Sequence, residues 1–396
     1  MFAGGCVRDR LLKVSPKDFD IATSAKPEQM SDLFTKQGYR VVPTGVEHGT
    51  ITVVSSSGPV EITSLRRDVK TDGRHAVVDF EGATFETDAA RRDFTINALF
   101  EDATGKIHDF HKGLEDLESG VLRFVGEPEQ RIREDYLRIL RFFRFWARFG
   151  FKADPSALQA ITTEASGLKI ISQERITSEL LGILTAPHSC EPLLTMAHTG
   201  VLALALPEAI ALEQRQRIIL MDAESTLAPH RPWIVLGVLL GLLDHKSWEK
   251  NSLQIFCRRL RFSDKQSKLL QDLLLGWQAL GNLPRETAAA LEFSSQIERE
   301  GSEFLLVDFF APIWQFFARH SRDQARQSCI GWLVSMDITF GDRRKTPLPL
   351  TGHDIMNALP GLAGVQIGDM IAKARHAYYN GDWRTKAEGL EFISKI

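Results

Sequence analysis

The period of the apolar pattern changes once along this 396-residue chain, near residue 116, and that change constrains its architecture more than any other feature. Up to about residue 115, short β-branched runs recur between helical stretches: Tyr39-Arg40-Val41-Val42, Thr50-Ile51-Thr52-Val53-Val54, Val60-Glu61-Ile62-Thr63 and Ile107-His108-Asp109-Phe110. Runs of this length and composition fit the strands of a small mixed sheet. Beyond residue 116 a helical pattern holds almost throughout, broken near Pro187, Pro207, Pro229, Pro232, Pro284, Pro347 and Pro349. The expected fold is α+β: a head with a small mixed sheet over residues 1–115, a helical neck over 116–190, and a helical body and tail over 191–396.

Within the head, Pro16-Lys17-Asp18-Phe19-Asp20-Ile21-Ala22-Thr23 carries two carboxylates two residues apart. On a strand, Asp18 and Asp20 point to one side and Phe19 and Ile21 to the other, which suits a cradle for a divalent cation. Glu61 alternates with Val60 and Ile62 and is sent away from the core, so three carboxylates on adjacent strands suit two magnesium ions. Upstream, Gly4-Gly5 leads into a helix-like Val7-Arg8-Asp9-Arg10-Leu11-Leu12, whose backbone N–H groups can hold phosphate oxygens. For Arg8, an ion pair with Asp9 competes with phosphate contact.

Arg91-Arg92-Asp93-Phe94-Thr95-Ile96-Asn97 reads as a helix opening, with Phe94, Ala98 and Leu99 facing inward and Arg92, Asp93 and Asn97 close together on another face. A single helix is expected from Arg131 to Arg148, with Ile132, Tyr136, Ile139 and Phe143 on one stripe and Asp135, Arg138 and Arg141 on another. Seven arginines and no lysine lie between residues 121 and 150, the choice made where directional, planar hydrogen bonding matters. Glu134/Arg138 and Asp135/Arg138 pairs on a solvated face are the plainer account of that helix.

A net charge of −3 does not advertise nucleic-acid binding, so any RNA contact must come from local charge. Arg258-Arg259-Leu260-Arg261-Phe262 and Arg343-Arg344-Lys345 are candidate phosphate contacts. No apolar run reaches the length of a membrane span and no basic-then-apolar leader opens the chain, so a cytoplasmic protein without a membrane partner is expected. Cys6, Cys190, Cys257 and Cys329 are widely separated and suit reduced core thiols.

Four ordered segments now resemble the motifs of a known family. Gly4-Gly5-Cys6-Val7-Arg8-Asp9, Asp18-Phe19-Asp20-Ile21-Ala22-Thr23, Arg91-Arg92-Asp93-Phe94-Thr95-Ile96-Asn97-Ala98 and Glu134-Asp135-Tyr136-Leu137-Arg138-Ile139-Leu140-Arg141 are similar in order and spacing to those of the class II tRNA nucleotidyltransferase and bacterial poly(A) polymerase family. The likeness is close from residue 1 to about 190 and looser at Pro349–Met356. It implies a polymerase β-like, palm-like head in which Asp18, Asp20 and Glu61 are catalytic ligands of Mg2+. By the same resemblance Gly4, Gly5 and Arg8 hold the triphosphate, Arg92, Asp93 and Asn97 serve the ribose, and Asp135 and Arg138 read the incoming base, with Arg141 also binding substrate. The implied reaction is template-independent addition of the 3′-terminal CCA to tRNA from CTP and ATP, with release of pyrophosphate.

The segment from Ser64 to Ala76 looks like the family's flexible loop at full length, which favours an enzyme able to add the terminal A. Ser172-Gln173-Glu174-Arg175-Ile176-Thr177-Ser178-Glu179-Leu180 is similar to its neck motif, with Glu174 and Arg175 structural. Family members usually carry a helix before the first strand, whereas here that strand begins at Met1, with exposure of its edge as the expected cost. The alternatives are an A-adding specialist, a poly(A) polymerase, and a non-catalytic RNA-binding relative. A metal phosphohydrolase has only His353-Asp354 in its favour. The oligomeric state is not legible in the sequence.

Overall fold

The computed structural model describes residues 1–396 except 17, 47–48, 57, 72–75, 225–230, 242–247, 281–315, 317–318, 321–347, 362–364, 381 and 396. Asp72–His75 of the expected loop, together with Pro229, Pro284, Cys329 and Arg343-Arg344-Lys345, lie outside the described residues. Contacts divide the chain into two compact units, Met1–Pro232 and Trp233–Ile396.

The first unit opens with β1 (Phe2–Ala3), α1 (Gly5–Leu11), β2 (Asp20–Thr23), α2 (Pro27–Lys36), β3 (Arg40–Gly45), β4 (Thr50–Ser55) and β5 (Gly58–Ser64). A two-stranded hairpin of β6 (Arg67–Thr71) and β7 (Ala76–Asp79) follows, then α3 (Phe85–Ala90), β8 (Leu99–Glu101) and β9 (Ile107–Asp109). The seven-stranded mixed sheet has the order β3-β4-β5-β2-β1-β8-β9. The expected exposure of the first strand's edge is corrected by this order: β1 is interior, pairing antiparallel with both β2 and β8.

Alternation decides what each sheet face carries. Ile21 joins Met30, Ile51, Val53 and Ile62 in one apolar cluster, whereas the next residue, Ala22, joins Ala3, Leu65, Ala89, Ala98, Phe100 and Val125 in another. Asp20 lies two residues before Ala22 and is in parallel register with Glu61 across β2 and β5. Both carboxylates therefore belong to the sheet side on which Ala89 of α3 and Val125 pack.

Next come α4 (Gly113–Ser119), a parallel pair of β10 (Val121–Leu122) and β11 (Lys152–Ala153), and between them α5 (Pro128–Glu134) and α6 (Arg138–Phe149). The single helix expected over 131–148 is thus two. Asp135 adopts an extended backbone, φ −153° and ψ 104°, and its side chain accepts from the Leu137 N–H at 3.1 Å, as a residue at a helix start does. The continuous charge and apolar spacing hid this break because no Gly or Pro marks it. Ile132, Ile139 and Phe143 are still fully buried, since the extended residue and the turn after it return the chain to the same core.

Phe94, extended and fully buried, makes a β-bridge to Phe124 and packs its ring 5.1 Å from Phe124, 5.9 Å from Phe142 and 5.4 Å from Phe145. That aromatic cluster fastens the 91–97 segment to α6. The unit continues with α7 (Pro155–Glu164), α8 (Gln173–Thr185), α9 (Cys190–His198), α10 (Val201–Ala205) and α11 (Gln214–Glu224), and α12 (Arg231–Leu239) runs across the division.

In the second unit, α13 (Lys250–Arg259) and α14 (Asp264–Leu280) are followed by α15 (Gly352–Ala358), α16 (Val365–Asn380) and α17 (Lys386–Ser394). The last three close over Leu350, Ile355, Ala374, Ala377, Trp383 and Ile393. His353 is exposed, and Asp354 shares a capping box with Thr351 and an ion pair of 2.7 Å with Lys386, a helix start rather than a metal site. Cys6, Cys190 and Cys257 are buried free thiols. Among the described residues, no helix is long and apolar enough to cross a membrane.

The turn after Asp135 rests on Gly167, where an added Cβ meets the Tyr136 ring at 2.0 Å. Gly167→Ala is expected to lower the unfolding free energy by about 1–3 kcal/mol in denaturant titrations, because a ring pinned in the α5–α6 joint cannot yield cheaply. An unchanged midpoint would mean that the joint is soft.

Candidate active site

The acidic side of the site is built from β2 and β5. Strand β2 begins at Asp20, so Asp18 stands just before the strand rather than within it, and it is exposed. Asp20 is half-buried, and Glu61 reaches solvent. Burial pushes the Asp20 carboxyl up, the Arg92 charge opposes this, and Asp18 adds to it. Glu61 is also pushed up, first by partial burial, then by Asp20 and Asp18. Three like charges thus feel one another. None of the three side chains has a hydrogen-bond or ion-pair partner among the described residues. Equally, no three His, Cys, Asp or Glu side chains among the described residues stand as a ready-made metal cluster. The donor set fits a hard divalent cation: oxygen-only, anionic, mutually repelling and unneutralised by the protein.

The glycine turn serves a neighbour. Gly4 has φ +71°, and a Cβ there would lie 2.5 Å from Arg92 Nη1. Its N–H donates to Leu99 O at 2.9 Å, so it is not among free amides for phosphate. Arg92 gives Nε and Nη2 to Asp88 Oδ2 at 3.3 and 3.0 Å and Nη1 to Asn97 O at 3.2 Å, with its guanidinium 4.9 Å over the Phe100 ring. Gly5 begins α1, its Cβ position facing Arg8 Nη2 at 3.5 Å. Arg8 is buried, 3% exposed, and takes the ion-pair arrangement: Nε and Nη2 donate to Asp9 Oδ1 at 2.8 and 2.6 Å. Its Nη1 donates to Asn97 Oδ1, and the Phe145 and Phe149 rings cover it at 5.1 and 4.9 Å. Asp9 Oδ2 in turn accepts from Arg148 at 2.9 Å.

The 91–97 segment does not open a helix. Helix α3 ends at Ala90, Phe94 is extended, and only a 3-10 turn, Thr95–Asn97, separates it from β8. Burial of Phe94 in the aromatic cluster outweighs helix continuation. The expected proximity survives in another form, with Asn97 Nδ2 donating to Asp93 Oδ1 at 2.9 Å. Asp93 Oδ2 accepts from Arg141 Nε and Nη2 at 2.8 and 2.6 Å. Burial alone pushes the Asp93 carboxyl up, but Arg141, the Asn97 hydrogen bond and the Arg138 charge outweigh it and hold the group at about 2. Arg141 is pushed up, chiefly by Asp93.

At the α5–α6 joint, Asp135 Oδ2 accepts from Arg175 Nη2 of α8 at 2.7 Å. Arg138 gives Nη1 to Arg131 O and Glu134 Oε2 at 2.9 and 2.7 Å, and Nη2 to Arg91 O at 2.9 Å. The Glu134/Arg138 pair is present, whereas Asp135 and Arg138 are joined only by the Arg138 N–H to Asp135 O bond of 2.9 Å. Arg131 Nη1 reaches Ala90 O at 2.7 Å, so α5 and α6 together grip the carbonyl end of α3. In unit two, Arg258 is exposed and Arg259 lies 5.8 Å over the Phe256 ring.

Sequence reasoning singled out Arg92, Asp93, Asn97, Asp135, Arg138 and Arg141, which the structure gathers into one connected lattice. It missed Asp88, which is 1% exposed and pairs with both Arg91 and Arg92. Its spacing of three and four residues from those arginines was the available signal.

A family model described as "Poly A polymerase head domain" matches residues 1–123, and one described as "Probable RNA and SrmB- binding site of polymerase A" matches residues 150–212. Human "CCA tRNA nucleotidyltransferase 1, mitochondrial" is 50% identical over 190 residues, 47% of this chain and 44% of the human protein. The mouse protein of the same name is 44% identical over 404 residues, 99% of this chain and 86% of its own length. A crystal structure of the Bacillus stearothermophilus CCA-adding enzyme in complex with CTP matches with a TM-score of 0.74 at 29% identity, over 100% of this chain and 92% of that one. The Thermotoga maritima CCA-adding enzyme complexed with tRNA, at 20% identity and a TM-score of 0.60 over 100% of this chain and 90% of that one, shares the fold.

Asp20→Asn removes one of three repelling charges. In EDTA, the variant is expected to unfold about 1–3 °C above the parent by calorimetry. A lower transition would mean that the carboxylates are not in conflict.

Proposed function

This chain belongs to the family of class II CCA-adding tRNA nucleotidyltransferases, and on that footing we propose that it rebuilds the 3′ end of tRNA with C, C and A from CTP and ATP, without a nucleic-acid template. The observation that carries this reading is the pairing of Asp20 with Glu61 across β2 and β5, without an ion-pair partner among the described residues, on the sheet side of Phe100, over whose ring Arg92 lies. The CTP bound by the Bacillus relative and the tRNA bound by the Thermotoga relative support the substrate classes.

Asp18, Asp20 and Glu61 are the residues that hold Mg2+ in this reading. When bound there, Mg2+ supplies positive charge that acidifies the attacking 3′-hydroxyl and offsets charge on the departing pyrophosphate. The chain's own residues do the positioning. Asp93, whose two oxygens already take four bonds, holds Asn97 in place, and Asn97 keeps its second Nδ2–H and one Oδ1 lone pair for the ribose hydroxyls. Arg92 keeps two of its five N–H groups without a partner among the described residues, and these suit phosphate oxygens.

Base choice follows from donor and acceptor counting. Each Asp135 oxygen takes one bond, from Leu137 N–H or Arg175, and keeps a lone pair. Arg138 keeps Nε–H and one Nη2–H beyond its three bonds to Arg131, Glu134 and Arg91. A carboxylate accepts from cytosine N4 and adenine N6 but repels uracil O4 and guanine O6, while the guanidinium donates to the adjacent ring nitrogen or carbonyl. A buried carboxylate set against a carbonyl costs about 1–3 kcal/mol, enough for strong rejection of U and G.

The test is extension of tRNA transcripts ending at the discriminator, at C and at CC, with CTP, ATP or both. Completion of all three to CCA is expected. Extension of the CC-ended transcript alone, by ATP, would replace this reading with an A-adding enzyme, and a long A tail would replace it with a poly(A) polymerase. Asp135→Ala is expected to relax discrimination against UTP by about tenfold or more.

A further inference from the structure

Arg92 stands between two demands. Its charge is felt at Asp20, yet among the described residues no ion pair joins the two. It is held instead by Asp88, whose Oδ2 takes Nε and Nη2 of Arg92 while Oδ1 takes Nε of Arg91 at 2.8 Å. Asp88 is 1% exposed, and its own N–H donates to Thr84 O at 2.9 Å in the capped first turn of α3. The Phe100 ring, Asn97 O and the bare Cα of Gly4 complete the clamp on Arg92.

We propose that Asp88 is a positioning residue that keeps Arg92 from pairing with Asp20, leaving Asp18, Asp20 and Glu61 open to a divalent cation while two Arg92 N–H groups remain available to the nucleotide's phosphates. The inference rests on the nucleotidyl-transfer reading above. Its physical basis is charge balance in a buried place: a carboxylate shared by two guanidiniums restrains both, and a guanidinium deprived of its carboxylate turns to another. With Asp88 neutral, Asp20 is the acid whose charge already acts on Arg92. A closed Arg92–Asp20 pair neutralises a cation ligand and draws the phosphate contact away from the nucleotide.

The test measures Mn2+ binding by electron paramagnetic resonance of the free ion, on the full chain and without substrates, alongside CTP kinetics. Asp88→Asn is expected to weaken Mn2+ binding about tenfold and to raise the KM for CTP about tenfold, with kcat changed less than about threefold. Asp88→Asn combined with Arg92→Ala is expected to recover Mn2+ binding to within about twofold of the parent while the KM stays raised, because the competing guanidinium is gone. Asp88→Glu is expected to keep Mn2+ binding near the parent value. Unchanged Mn2+ binding in a folded Asp88→Asn protein, or no recovery in the double variant, overturns the proposal. Where Asp88→Asn does not fold, Arg92→Ala alone decides: Mn2+ binding within about threefold of the parent supports the tether, because a held Arg92 does not compete, and binding about tenfold tighter or more overturns it, because Arg92 then pairs with Asp20 in spite of Asp88. A parent that completes CCA on tRNA while Asp88→Asn binds Mn2+ unchanged sinks the tether alone. A parent inactive on tRNA, with Mn2+ weakened by Asp88→Asn, sinks the nucleotidyl-transfer reading and keeps the tether.

Discussion

The ion pair of Asp93 and Arg141 is the interaction on which the rest of the site depends. One oxygen of Asp93 takes Nε and Nη2 of Arg141 from α6, and the other takes the Phe94 N–H and the Asn97 amide of the 3-10 turn. A buried pair of this kind is not a net gain over apolar packing, but removal of one partner costs about 3–5 kcal/mol because a charge is left uncompensated. Its value is geometric. From Asn97 the chain of bonds runs to Arg8, from Arg8 to Asp9, and from Asp9 back to Arg148 of α6. Two ends of one helix are thus fixed to the sheet by way of the same few side chains, with Phe145 and Phe149 stacked among the guanidiniums.

Charge is divided unevenly across the site. Arg8, Arg92, Arg138 and Arg141 hydrogen-bond to carboxylate, carbonyl or amide oxygens, so their geometry is set before any ligand arrives. Asp18, Asp20 and Glu61 have no such partners among the described residues; the Asp18 charge raises the proton affinity of Asp20, and the charges of Asp20 and Asp18 raise that of Glu61. In the proposed reading, the carboxylates left in conflict receive positive charge, and the N–H groups that the held guanidiniums keep spare receive a polyanion beside it. The fold contributes by register: parallel pairing of β2 and β5 sets Asp20 opposite Glu61, and alternation sends both to the face on which Ala89 and Val125 pack, where the Arg92 charge reaches Asp20.

Much of this was legible in the sequence because it rests on short-range rules. The alternation around Glu61 gave its exposure beside a buried Ile62, and the strand at Val60 to Thr63 lies within β5. The change from sheet to helix near residue 116 corresponds to the long helical series from α4 onward. What was not legible depended on partners far away in the chain. Helix α6 starts afresh at Arg138 because Asp135 is drawn out to Arg175, 40 residues on, and nothing local distinguishes that from a continuous helix. The 91–97 segment leaves the helix because Phe94 is needed in a cluster with Phe124, Phe142 and Phe145. Gly4 read as a phosphate turn, and only the packed structure shows that Arg92 occupies the space its side chain would fill.

If Asp93 and Arg141 act as one unit in shaping the proposed substrate site, a double-mutant cycle with Asp93→Asn and Arg141→Gln, read in kcat/KM for CTP addition to tRNA, reveals it. Either change alone is expected to cost nearly as much as both, with a coupling of about 1–3 kcal/mol. Losses that simply add would contradict it, because two residues serving the site independently have no shared interaction to lose.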